Sequence, residues 1–81
     1  MTATRQDILS WLEEAKHKKA SHLIVMHDTY DHDNYPVFVL VREILDNRLK
    51  TNGENMQQIQ EIYNMTMDLD MQLAEHRSWH L

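Results

Sequence analysis

HLIVMHDTYDHDNYPVFVLV, residues 22–41, places two apolar segments on either side of a polar turn. Residues 22–30 and 37–41 are rich in β-branched and aromatic side chains, so each is predicted to form a strand. Their short separation predicts an antiparallel hairpin, and Pro36 can open the second strand without removing an interior hydrogen bond. Apolar side chains point to both faces of this hairpin, so both faces need a cover.

Helices are predicted on both sides of the hairpin. Thr4 and Asp7 form a capping-box pattern, and apolar residues at helical spacing follow it. Residues 42–49 predict a short helix that stops near Gly53. From about residue 55 to about residue 79, abundant Met, Gln, Leu and Glu predict one long helix. Its apolar arc is much wider than one packing surface needs, and Gln72 lies in the narrow polar strip that remains.

Together these elements predict a single α+β domain over residues 1–81. It consists of an N-terminal helix, a two-stranded antiparallel hairpin, a short helix and a long C-terminal helix. A chain of 81 residues has little material with which to cover the wide arc of the long helix. A second copy is therefore expected to cover it, which predicts a homo-oligomer, most simply a dimer.

The amino-acid composition excludes several classes of function. The chain has no Cys, so disulfides and thiol nucleophiles are excluded, and a net charge of −5 opposes direct binding to nucleic acid or to an anionic membrane. No signal peptide and no apolar run of roughly 20 residues is visible, so a cytoplasmic location is expected. Phosphate loops and nucleophile elbows are absent as well. The protein is expected to be neither an enzyme nor a cofactor binder.

The hairpin turn holds the densest polar cluster. Two tyrosines among acidic residues are more typical of a contact surface than of a plain turn, although Asx-turns alone would explain the Asp and Asn residues. Metal ligation by His27, Asp28, His32 and Asp33 is a weaker alternative, because neither an EF-hand nor an H-E-x-x-H pattern is present. No metal site is predicted. Partner binding is predicted at Asp28, Tyr30, Asp31, His32, Asp33 and Tyr35.

The C-terminal part of the chain supplies a second set of candidates. Asp70 is predicted inside the apolar arc of the long helix beside Tyr63, where a carboxylate must be paired, hydrogen-bonded or neutral. Arg and Trp near the end of the chain are types that favour interfaces. With the basic residues 16–19 they could instead hold a nucleotide-type ligand. The candidate interface or ligand residues are Tyr63, Asp70, His76, Arg77 and Trp79.

Two segments resemble a family of small, largely uncharacterised proteins of tailed bacteriophages: HLIVMHDTYDHDNYPVFV and NMQQIQEIYNMTMDLDMQLAEHRSWH. The similarity covers most of the chain and is weakest in the short second helix. It implies a phage origin and expression in the cytoplasm of a bacterial host. It implies no catalytic residues.

Three functions are compatible with these patterns. The leading prediction is a non-catalytic phage accessory protein, used for host takeover or anti-defence, that binds and blocks a host protein through the acidic and aromatic hairpin turn. The alternative is an oligomeric sponge that sequesters a small nucleotide-type signal between subunits. The third possibility is a metal-dependent hydrolase centred on the hairpin turn.

Overall fold

The computed structural model describes residues 4–81, which form three strands and three helices. The elements are α1 (Arg5–His17), β1 (His22–Asp28), β2 (Asp33–Val39), α2 (Arg42–Lys50), β3 (Gln57–Asn64) and α3 (Leu69–Ala74). The strands form one antiparallel sheet in the order β2-β1-β3. Within residues 4–81, every helix is too short or too polar to cross a membrane.

The α+β class is confirmed, and the predicted long C-terminal helix is wrong. That segment folds as β3 followed by the six-residue helix α3. The capping box of α1 forms as predicted, since the Thr4 hydroxyl accepts from the Asp7 N–H and the Asp7 side chain accepts from the Thr4 N–H. Locally encoded features therefore appear where the sequence indicates them.

A β-bulge explains why β3 has the periodicity of a helix. The β1–β3 register shifts between Val25 and Met26, which leaves Gln60 as the extra residue of β3. Because of that extra residue, Ile59 and Ile62 pack into the same cluster on one face of the sheet. Same-face residues of a regular strand are two or four apart, whereas a spacing of three is typical of a helix. Because of the bulge, apolar residues three positions apart share one face of β3, as they would in a helix.

The second strand begins earlier than predicted. It starts at Asp33 and ends at Val39, so Pro36 lies in its middle, opposite Val25, and does not open it. β2 is an edge strand, where a proline is tolerated when its nitrogen faces away from the neighbouring strand. A proline also removes one donor from the outer edge, which discourages pairing with further strands.

Both faces of the sheet are covered by the chain itself. On one face, α1 and α3 pack over a cluster of Leu12, Ala15, Ala20, Leu23, Val25 and Tyr63. On the other, α2 contributes Leu45 to a cluster with Ile24, Met26, Val39, Ile59 and Ile62. The wide apolar arc that predicted a dimer does not exist, because its residues divide between β3, α3 and the loops beside them. The width of the apolar arc therefore no longer supports self-association, which stays a prediction.

Residues 77–81, called the C-terminal segment below, run along the outer edge of β3. The Ile62 N–H donates to the Ser78 carbonyl at 2.9 Å, and the His80 N–H donates to the Ile62 carbonyl at 3.1 Å. Ser78 is fully buried, and its hydroxyl also donates to the Ile62 carbonyl. This contact pairs the segment with β3 in parallel around Ile62 and Trp79.

Candidate functional site

The hairpin turn is shaped by the carboxylate of Asp28. Its Oδ1 atom accepts from the N–H of Tyr30 at 2.8 Å and from the N–H of Asp31 at 3.3 Å, which is an Asx-turn. His32 adopts the left-handed conformation, with φ 57°, where the chain reverses. Below the turn, His27 Nδ1 donates to Asn34 Oδ1 at 2.8 Å and ties the two strands together. Hydrogen bonds made by its own side chains therefore stabilise the turn.

A second loop lies against this turn, and the sequence did not reveal it. Thr29 donates twice to the carbonyl oxygen of Met56, from its N–H at 2.7 Å and from its hydroxyl at 3.0 Å. The α2–β3 loop is thereby fixed beside the hairpin turn, across a separation of 27 residues. The one available signal was Asn55, a residue type that tolerates the left-handed conformation that it adopts here.

The two loops, residues 29–32 and 51–56, lie side by side at one end of the sheet, and together with the adjoining Asp28 and Asp33 they are called the tip surface below. Tyr30 is 73% exposed and Met56 is 57% exposed, so two large apolar side chains face solvent there. Neither loop contains Lys or Arg. The tip surface thus combines exposed apolar area with a negative field. Its acidic members are Asp28, Asp31, Asp33 and Glu54.

Tyr35 does not belong to the tip surface, although the sequence grouped it with the turn. Its side chain packs against the cluster under α2. Its hydroxyl donates to Gln57 Oε1 at 2.7 Å, which links β2 to β3. Arg48 of α2 donates weakly to the same oxygen, at 3.4 Å. Side chains alternate between the two faces along β2, and Tyr35 points to the face that α2 covers. Its hydrogen bond to Gln57 stabilises the sheet next to the tip surface.

The structure does not bring the proposed metal ligands into a site. Among residues 4–81, no group of three or more His, Asp or Glu side chains is placed to hold a metal ion. His27 is bonded to Asn34, and one oxygen of Asp28 is occupied by the Asx-turn. The His27 and His32 rings lie 6.2 Å apart between centroids. Residues 4–81 therefore provide no set of metal ligands for the metal-dependent hydrolase considered above.

Tyr63 and Asp70 do not lie beside each other in one helix as predicted, because Tyr63 belongs to β3 and Asp70 to α3. Tyr63 is buried in β3, and its hydroxyl donates to Glu61 Oε1 at 2.9 Å. Burial, together with the hydrogen bond and the negative charge of Glu61, raises the pKa of Tyr63 far above its ordinary value. Asp70 is exposed in the first turn of α3, so the expectation of a buried carboxylate there is wrong.

Arg77 is bound to the bulge of β3. Its Nε donates to the Gln60 carbonyl at 2.9 Å and its Nη2 donates to the Ile59 carbonyl at 3.0 Å. The guanidinium also lies over the Trp79 ring, 4.4 Å from its centroid. These contacts give Arg77 a structural role, because they use two donors that a phosphate would need.

The other basic residues lie elsewhere on the molecule. Lys18, near the end of α1, lies over the Phe38 ring at the far end of β2. Arg77 binds the middle of β3, which is the opposite edge of the sheet from β2. His76 is exposed, and residues 4–81 form no pocket. Within one chain, the residues proposed for a nucleotide are therefore not brought together.

The chain shows no match to known protein families, to curated proteins or to solved structures. The similarity to small bacteriophage proteins therefore stays a prediction. The structure shows a three-layer α+β scaffold with a hydrogen-bonded, acidic and partly apolar tip surface. Function is inferred below from that surface.

Proposed function

We propose that the protein is a non-catalytic bacteriophage accessory protein that binds and blocks a host protein, and that the tip surface makes the contact. The exposure of Tyr30 on a turn held by Asp28 is the observation that carries this proposal. Tyrosine is enriched at protein interfaces, because its ring supplies large contact area and its hydroxyl a hydrogen bond. A turn that is already ordered loses little further conformational entropy on binding.

The charge of the tip surface indicates what kind of partner it fits. Its four carboxylates lie in two loops that hold no Lys or Arg or at the strand ends beside them, so they outnumber the nearby Arg48 and Lys50 and the net local charge is negative. A basic protein surface would be attracted to it, with an association rate that falls as salt is added. Blocking follows when the occupied basic surface is one that the partner needs for its own ligand.

Capture from a lysate of the bacterial host tests this proposal. The tagged full chain is compared with Tyr30→Ala and with the double variant Asp31→Asn/Asp33→Asn. Asp70→Asn is the matched control, since it also neutralises an exposed carboxylate but lies on α3. We expect Tyr30→Ala to weaken capture at least about tenfold, because aromatic anchors dominate interface energetics.

The double variant should weaken capture mainly at low salt, because it removes charge that steers association. Asp70→Asn should capture as the unchanged chain does. Equal capture by all four proteins would refute the proposed function. So would the recovery of no stoichiometric partner at low salt.

A further inference from the structure

We infer that Met56 is a second anchor beside Tyr30, and that the partner's contact surface is an apolar groove bordered by Lys or Arg. This inference rests on the proposed function, and it adds a residue that lies outside the hairpin. It also names the chemistry of the surface that the tip surface fits. The two anchors belong to different loops, which Thr29 joins by hydrogen bonds to the Met56 carbonyl.

The backbone at Met56 is held in a conformation that its side chain does not favour. Asn55 and Met56 are both left-handed, with φ 54° and 61°. Single left-handed residues other than glycine occur, mostly as Asn or Asp, but two in succession with an unbranched apolar residue are unusual. Such strain persists where the surrounding structure over-determines it, and it is frequent at ligand clamps. Here the two hydrogen bonds from Thr29 supply part of that restraint.

The strained backbone places Met56 on the surface. Its side chain is 57% exposed, and its carbonyl accepts from Thr29, the residue before the 73% exposed Tyr30. A methionine adapts its shape to an irregular apolar surface, and methionine is enriched at interfaces. Both loops also carry exposed acidic residues, Asp31 on one and Glu54 on the other. An apolar centre with a charged rim is the usual anatomy of a protein contact, and it complements an apolar groove with a basic rim.

Two defined peptides of equal charge test this inference. One is acetyl-KKLLLKK-amide, with an apolar centre, and the other is acetyl-KKSSSKK-amide, with a polar centre. Each is titrated at low salt into the full chain, and binding is followed by NMR of the methionine methyl groups and the backbone amides. We expect the leucine peptide to bind at least about tenfold more tightly and to shift the Met56 methyl and the Thr29–Tyr30 amides.

Variants identify the anchor. Met56→Ala should abolish the preference for the leucine peptide, whereas Met67→Ala should retain it. Met67 is the matched control because it is also exposed, at 41%, and lies beyond the other end of β3. Equal affinity for both peptides, absence of binding at millimolar peptide, or a preference that survives Met56→Ala would each overturn the inference.

This outcome can be separated from failure of the proposed function. If host-protein capture is lost in Tyr30→Ala but unchanged in Met56→Ala, the proposed function stands and the second anchor does not. If neither variant alters capture, the tip surface is not the contact and both proposals fall.

Discussion

Replacing Gln72 by methionine should remove a large part of the folding stability. Gln72 is fully buried, and its amide acts as a pairing partner for the last residue of β3. Its Oε1 accepts from the Asn64 N–H at 2.7 Å, while its Nε2 donates to the carbonyls of Asn64 at 2.9 Å and Asp68 at 3.2 Å. Methionine matches glutamine in shape but provides none of these hydrogen bonds.

The size of the stability loss follows from the two backbone groups of Asn64 that lose the Gln72 amide as their hydrogen-bond partner. The N–H and C=O of Asn64 lie in a partly buried site, and each unsatisfied group costs about 1–3 kcal/mol. The apolar side chain recovers part of that by burial, so we expect a net loss of roughly 3 kcal/mol. For a domain of this size, such a loss lowers Tm by about 15 °C.

Urea and thermal unfolding followed by circular dichroism measure this effect. Gln58→Met is the matched control, because Gln58 is an exposed residue of β3. The free energy of unfolding of this variant should differ from that of the unchanged chain by no more than about 0.5 kcal/mol. A Gln72→Met protein as stable as the unchanged chain would refute the reasoning.

Three further outcomes are expected. Because the pKa of Tyr63 is raised in the folded state, its contribution to stability is complete below about pH 10 and is lost as pH rises further, when the unfolded phenol ionises first. Urea unfolding between pH 8 and 11 should show this loss, and Tyr63→Phe should reduce it; equal losses in both proteins would contradict the assignment. Arg77→Lys should lower the free energy of unfolding by about 1–2 kcal/mol in the same assay, since lysine cannot bind both bulge carbonyls in a planar fork, and unchanged stability would show that the bulge does not need this contact. Met56→Gly should raise the free energy of unfolding by about 0.5–1 kcal/mol, because glycine adopts the left-handed backbone without strain. The same variant should weaken binding of the leucine peptide. A fall in the free energy of unfolding would count against stored strain at Met56.

The candidate site was only partly predictable from the sequence. Asp28 and Tyr30 were identified because turn-forming acids and an exposed aromatic residue are local features. Tyr35 was misplaced, since a strand sends neighbouring side chains to opposite faces and its start was set too late. Met56 was missed because its contact with Thr29 spans 27 residues and leaves no periodic pattern.

The sequence by itself determined α1, the hairpin and α2, and therefore the α+β class. Each of these forms from nearby residues: a capping box at Thr4, apolar spacing along α1, and two β-rich segments on either side of a turn. Only the tertiary structure decided that residues 57–64 form a strand and that α3 is short. A strand is stabilised by a partner that lies far away in sequence, and the bulge at Gln60 exists only in register with β1. The same distant pairing covers both faces of the sheet within one chain, which no local pattern specified.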